Sequence, residues 1–306
     1  MNVGRTTLWI FAAALLAILA FFVGIFVMAK LIWPVGAIAQ IKEFATGTSG
    51  DLSDGQPVYD AFGRLMSYPG KAAVNCPQQT AKTMVLLAAG QSNLVNNAGQ
   101  RYTSNYGDRI VQLWNGKCYQ AFSPLLGTSG ASGESLTLLG NKLIASGMAD
   151  QVVFVAAAIK GTGISRWKAG GDMNDLLGSA ITDVKKNYRV THVLWHQGES
   201  DFDEGTNAQN YSSMFYSLVD TLRTRGVDAP ILTSVASKCR VNPLWKPDNP
   251  VATAQRSLPD KSKNIFMGVD TDTLLTAIDR FDDCHFSATG QEKFADAWVK
   301  AIKDFQ

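Results

Sequence analysis

The sequence predicts a three-layer α/β/α sandwich around a mainly parallel five-stranded sheet, preceded by one N-terminal transmembrane helix. Five short apolar runs, at 84–89, 152–158, 190–195, 231–236 and 265–269, read as buried strands. Segments with helical spacing alternate with several of them, and strands that are apolar throughout need cover on both faces, the mark of a parallel sheet. The third observation is a long uncharged run near the N-terminus, set apart from everything else.

That run covers residues 8–29, which are 22 residues without a charge, Asn, Gln or Pro. At about 1.5 Å per residue such a helix is roughly 33 Å long, enough to cross a hydrocarbon core of about 30 Å. A cleavable signal usually has an apolar stretch of about 7 to 15 residues. Residues 1–40 are therefore expected to remain as an anchor, although Ala37-Ile38-Ala39 offers an A-x-A cleavage site. Residues 41–75, with "ATGTSGDLSDGQP", read as a Gly/Ser/Asp-rich spacer. The folded domain is expected over 76–306, with helices at 136–146 and 208–225. A closing helix at 287–302 puts Phe294, Trp298 and Ile302 on one stripe.

Arg5 and Lys30 are the basic residues ahead of Lys42, and no acidic residue precedes Glu43. The remainder thus carries 26 basic and 26 acidic residues. An evenly mixed domain has no electrostatic footprint for nucleic acid, and that class of partner is excluded. Protein partners stay unknown. The four cysteines, Cys76, Cys118, Cys239 and Cys284, all follow the anchor, as two disulfides in an oxidising compartment would require; four free thiols are the alternative. Flanking charges give the positive-inside rule little to choose, so the cysteines place the domain on the extracytoplasmic side, periplasmic or extracellular.

In a parallel sheet, ligands bind outside the carboxyl ends of the strands. Those ends read Gly90-Gln91-Ser92-Asn93, Lys160-Gly161-Thr162-Gly163, His196-Gln197-Gly198-Glu199-Ser200-Asp201 and Ser237-Lys238-Cys239; Asp282-Asp283-Cys284-His285 comes before the last helix. Cys239 and Cys284 would meet if both loops rim one pocket. Cys76 and Cys118 then pair without crossing it. A serine attacks a carbonyl only when a base takes its proton, and histidine is the usual base near neutral pH. His192 and His196 lie four positions apart in "VTHVLWH", roughly 13 Å on a strand. Val193 stands where a zincin motif has Glu, so His192 reads as a packed residue, and neither a metal nor a cofactor is expected. His285 has Asp282 three residues before it, a spacing at which a carboxylate can orient the imidazole. A capped helix entry is the plainer alternative, and Asp283 is a second possible orienter.

Ser92 does not fit the nucleophile elbow, because Leu94 occupies the second glycine position of G-x-S-x-G. Instead "GQSN" after the first run, "WHQGESD" after the third and "DDCHFS" before the last helix resemble the SGNH (GDSL-like) hydrolases. More narrowly they resemble their sialate O-acetylesterase-like carbohydrate esterase branch, over roughly 76–306. The resemblance implies a flavodoxin-like sheet with Ser92 as nucleophile, His285 as base and Asp282 as its orienter. It implies an oxyanion hole made of the Ser92 N–H, the Gln197 side chain and a glycine of "GTSGASGES", Gly133 or else Gly130. Gln91, Asn93, Arg166, Trp167 and Glu199 are further candidates for touching substrate, with packing the plainer reading of Trp167.

Together these readings imply a membrane-anchored serine esterase that removes O-acetyl groups from sialic acid or another acetylated glycan through an acyl-enzyme. The alternatives are a polysaccharide O-acetyltransferase on the same fold and a catalytically silent carbohydrate-binding protein.

Overall fold

The computed structural model describes residues 56–239 and 243–305; the anchor at 1–40 and the first part of the spacer lie outside them. Among the described residues no helix is long and apolar enough to cross a membrane. Val58–Tyr59 (β1) and Leu65–Ser67 (β2) form a small antiparallel pair. The main sheet is built from Ala73–Val74 (β3), Thr83–Gly90 (β4), Ile110–Trp114 (β5), Lys117–Gln120 (β6), Gln151–Ala158 (β7), His192–His196 (β8), Ile231–Val235 (β9) and Ile265–Asp270 (β10). Helices follow at Leu136–Ala145 (α1), Asp172–Val184 (α2), Glu199–Asp203 (α3), Ala208–Thr224 (α4), Pro250–Ser257 (α5), Thr271–Leu274 (α6) and Ala288–Phe305 (α7).

The sheet order is β10-β9-β8-β4-β7-β5-β6-β3. The five expected strands stand side by side in parallel register, and β5 extends them on the β7 side. Eight strands rather than five make the sheet, because β5 and β6 form a hairpin that the apolar-run pattern does not show. Its turn is Asn115-Gly116, both with positive φ (48° and 71°), which is the backbone a two-residue hairpin needs. The spacer is also shorter than expected. From Gln56 onward the chain is structured, and β3 pairs with β6 through Ala73–Tyr119 and Val74–Cys118. Two exposed or half-exposed residues make so short an edge strand that composition alone hides it. The Cys76–Cys118 disulfide staples the same edge. Gly55–Gln306 forms one compact unit.

Both faces of the sheet are covered. Val85, Leu87 and Ala89 of β4 pack into one apolar cluster with Met173, Leu177 and Ile181 of α2 and Phe215, Leu218 and Leu222 of α4. Met84, Leu86 and Ala88 face the other way, against Leu139 and Leu143 of α1 and Phe294, Trp298 and Ile302 of α7. This is why β4 reads as a continuous apolar run rather than an alternating one. His192 belongs to this packing. It is buried, its Nδ1 lies 2.9 Å from Thr191 Oγ1, and its ring meets the edge of Phe305. Burial lowers its pKa to about 4, so the ring is neutral near pH 7.

The topology locates a ligand site before any side chain is considered. From β4 the chain builds β5, β6 and β7 on one side, then crosses to β8, β9 and β10 on the other. The carboxyl end of β4 is thus a switch point, where the connections part and leave a crevice.

Candidate active site

Gly90 ends β4 directly opposite His196, which ends β8. Its φ is +144°, and a Cβ there would lie 2.0 Å from His196 O, so only glycine fits. The chain then turns through Ser92–Leu94, a single 3-10 turn. Ser92 caps nothing: its Oγ makes no hydrogen bond, and it is not among the polar atoms sealed from solvent without a partner. The N–H groups of Ser92 and Asn93 are likewise without a partner among the described residues.

The base candidate sits on a tight loop across the crevice. Residues 280–286 fold back on themselves through Phe281 N–H to His285 O (3.0 Å), with Asp283 at the tip in a left-handed conformation. Asp282 Oδ2 is 2.7 Å from His285 Nδ1, and Asp282 Oδ1 accepts from the backbone N–H of His285 (2.6 Å) and Cys284 (3.2 Å). Burial pushes the Asp282 carboxyl up, but the hydrogen bonds from His285 outweigh it and hold it below the usual carboxylate range. With Nδ1 engaged, Nε2 of His285 has no partner. The hydrogen bond from Ser92 to His285 is not formed here; such bonds often tighten only once substrate is bound. Asp283 makes no hydrogen bond to the imidazole, so the carboxylate three residues away is the orienter.

What places this loop against Ser92 is Cys284. Its carbonyl accepts from Asn93 Nδ2 (3.3 Å) and from Arg280 Nη1, and its sulfur is bonded to Cys239 beyond β9. The two residues before Cys239 are in turn held by Asp272, whose carboxylate accepts from the N–H groups of Ser237 and Lys238. Asn93 Nδ2 also donates to Glu199 Oε1 (2.8 Å). Glu199 is 2% exposed and lies 3.5 Å from His196 Nε2. Burial pushes its carboxyl up, and His196 and Asn93 more than offset that, leaving it below the ordinary value. Asn93 thus ties the buried Glu199 carboxylate to the base loop.

Two other expectations, for Trp167 and Gly133, are corrected. Trp167 is 0% exposed, donates to Thr162 Oγ1 (3.0 Å) and packs edge-on against Trp195, so it offers no face to a sugar. Arg166 is engaged by Asp172 at the start of α2. The N–H of Gly133 donates to Ala98 O (2.9 Å), which removes it from any oxyanion hole. Gly130 is the glycine that qualifies. Its φ is +89°, a Cβ would lie 2.5 Å from Asn96 O, and its N–H has no partner. Asn96, missed by sequence reading, holds that loop. Its side chain donates to Leu125 O (2.6 Å) and Gly130 O (3.2 Å) and accepts from Leu125 N–H (2.7 Å). Only the doubled Asn of "LVNNAG" hinted at it.

Gln197 also differs from expectation. It is 0% exposed, and its Nε2 faces three acceptors: Gln91 Oε1 (3.2 Å), Thr162 O (2.9 Å) and Asp201 Oδ2 (2.5 Å). Burial pushes the Asp201 carboxyl up, despite that bond and one from Ile164 N–H. Among the described residues no cluster of His, Cys, Asp and Glu is arranged to hold a metal.

A strand-end serine turn tied through Asn93 to a loop that carries a carboxylate-oriented histidine, on a doubly covered sheet, is compatible with a carboxylic ester hydrolase. The comparison with known proteins carries this to a family: the chain belongs to the carbohydrate esterase, sialic acid-specific acetylesterase family, whose sequence model matches residues 82–304. Two solved structures share the fold. One is a protein from Arabidopsis thaliana, 19% identical, aligned over 73% of this chain and 97% of that one with a TM-score of 0.56. The other is NanS, 18% identical over 73% and 97% of the two chains with a TM-score of 0.51. No curated protein sequence matches.

Cutting the Cys239–Cys284 bridge tests how the base is held. A native disulfide typically contributes about 2 to 4 kcal/mol, whereas misplacing a catalytic group by about 1 Å costs on the order of 10²-fold in rate. Cys239→Ala should therefore lower kcat at least about tenfold at a temperature where the variant is still fully folded. An unchanged kcat beside a lowered melting temperature would mean that the bridge only stabilises.

Proposed function

We propose that the protein cleaves O-acetyl esters of carbohydrate through an acetyl-enzyme on Ser92. The observation that carries this reading is the Asp282–His285 couple, Nδ1 held at 2.7 Å and Nε2 left free, on a loop bonded through Asn93 to the Ser92 turn. His285 Nε2 takes the Ser92 proton as Oγ adds to the acetyl carbonyl. Asp282 fixes the tautomer and stabilises the imidazolium that forms. The carbonyl oxygen becomes an anion and is met by the N–H groups of Ser92 and Gly130, both otherwise unpaired. His285 then gives that proton to the sugar oxygen as its bond to the acetyl carbon breaks, so the sugar leaves as a free hydroxyl. Water, deprotonated by the same nitrogen, adds to the acetyl carbon; the Ser92 oxygen takes the proton back as it departs, and acetate is released. Sialic acid is the sugar the family description names; other acetylated glycans offer the same ester to the same groups. Residues 8–29 tether this chemistry to a membrane, with the two disulfides on its oxidising side.

Ser92→Ala and His285→Ala should each lower turnover of p-nitrophenyl acetate and of an acetylated glycan by about 10⁴-fold or more in the full chain. Asp282→Ala should be milder by about tenfold or more, since a misoriented base is better than none. Asp283→Ala should stay within a few-fold of wild type. Activity of Ser92→Ala near wild type would end the reading, and greater damage from Asp283→Ala than from Asp282→Ala would transfer the orienting role.

The tether has its own test. A carbonate wash that strips peripheral proteins should leave the chain in the membrane pellet. Release into the wash removes the anchor and leaves the esterase reading standing.

A further inference from the structure

The residues matched to the family begin at 82, but the chain is folded from Gln56 onward. Its first hairpin is closed by its own side chains. Asp60 accepts from the N–H groups of Phe62 (2.9 Å) and Arg64 (2.9 Å) and from Arg64 Nε (2.6 Å), and Gly63 takes the positive φ of +70° that the turn needs. This hairpin does not stand free. It lies on the loop that carries Gly130.

Leu65 is 0% exposed and bonds to that loop in both directions. Its N–H donates to Thr128 O (2.8 Å), and its carbonyl accepts from Gly127 N–H (2.7 Å). Three residues further on, Tyr68 joins through Arg101. That guanidinium lies over the Tyr68 ring and donates to Tyr68 Oη (2.6 Å) and to Ala131 O (2.6 Å). Lys71 Nζ donates to Phe122 O (2.5 Å), where the loop begins. The arm at 58–71 is therefore bonded, directly or through Arg101, at 122, 127, 128 and 131, on both sides of Gly130.

The loop needs such support. It has no helix or strand of its own between β6 and α1, and it contains Gly127, Gly130 and Gly133, the residue type that loses most backbone freedom on ordering. Beside the Ser92 turn it is held by Asn96 Nδ2 at Gly130 O (3.2 Å) and Asn97 Nδ2 at Ser129 O (3.3 Å). The arm supplies the remaining bonds. A donor for a developing oxyanion is effective only if it is already in place when charge appears.

We propose that the arm at 58–71 is a clamp on the oxyanion loop, with Leu65 and Arg101 as positioning residues that fix the Gly130 N–H where the acetyl carbonyl oxygen becomes an anion. The inference rests on the reading of Ser92 as nucleophile and Gly130 as donor. The segment that leads out of the spacer is then part of the ester-cleaving apparatus, although it precedes the family's matched residues.

Leu65→Pro in the full chain removes the N–H that reaches Thr128 O and nothing that touches substrate. With p-nitrophenyl acetate, kcat should fall about 10- to 100-fold while KM changes only a few-fold, because a donor displaced by about 1 Å costs on the order of 10²-fold and acts in the transition state. Arg101→Leu, a milder change at the surface, should lower kcat at least about fivefold, and Arg101→Lys should recover part of it. Leu218→Ala, buried on α4, is the control for stability alone: it should lower the melting temperature as much and leave kcat within a few-fold. A fluorophosphonate should label Ser92 in every variant, more slowly in Leu65→Pro, since the phosphonyl oxygen uses the same donors. If Leu65→Pro does not fold, the two Arg101 variants decide. A kcat within a few-fold of wild type in Arg101→Leu and in folded Leu65→Pro overturns the inference, as does an equal loss of kcat in Leu218→Ala. Failure to label Ser92 in the wild type would instead remove the nucleophile, and the purpose of the clamp with it.

Discussion

The carbonyl and sulfur of Cys284 are the fixed point on which the site depends. His285 is carried by a short loop outside the sheet, between two anchored residues. Phe286 after it is fully buried against His196 and Phe294, and Cys284 before it is fixed by polar and covalent bonds. Asn93 and Arg280 take the carbonyl, Cys239 takes the sulfur, and Asp282 takes the N–H. Through these bonds the ends of β4 and β9 and the loop before α7 become one body. The serine and the imidazole are then positioned by the same scaffold rather than by each other.

That scaffold contains ionisable groups that a hydrophobic core would not tolerate alone. Glu199, Arg280, Asp272 and Asp201 are all buried, and each has polar or charged company. Removing one member of such a set leaves an uncompensated charge, which typically costs about 3 to 5 kcal/mol. Their value lies in direction: a carboxylate accepting several hydrogen bonds fixes the groups that donate them, as Asp272 does for Ser237 and Lys238. The same economy explains why so many polar residues at the strand ends are buried supports, while few atoms of Ser92 and His285 reach the crevice.

Much of this was legible in the chain. The central strands announce themselves because burial on both faces leaves no polar alternation, and the Asp282–His285 hydrogen bond is visible as a carboxylate three residues before an imidazole. The hairpin of β5 and β6 was not read from its apolar content, since Gln112 interrupts one strand and the other is half exposed; only the Asn115-Gly116 turn betrays it. The α5 helix has only eight residues and many are polar, whereas α2 does carry Met173, Leu177, Ile181 and Val184 at helical spacing. The oxyanion donors are the hardest case. Gly130 and Gly133 are equivalent as letters, and one is disqualified only by a backbone bond to Ala98. Such distinctions arise from pairing across the fold, which no local pattern carries.

The central claim is that the acetyl group passes through Ser92. The most direct measurement is rapid-quench mass spectrometry of the full chain turning over an acetylated glycan. The account predicts one acetyl group on the peptide bearing Ser92 during turnover, decaying to the free hydroxyl as substrate is exhausted. Acetate released at full rate with that peptide unmodified at every time, or with the acetyl group on another side chain, would contradict it.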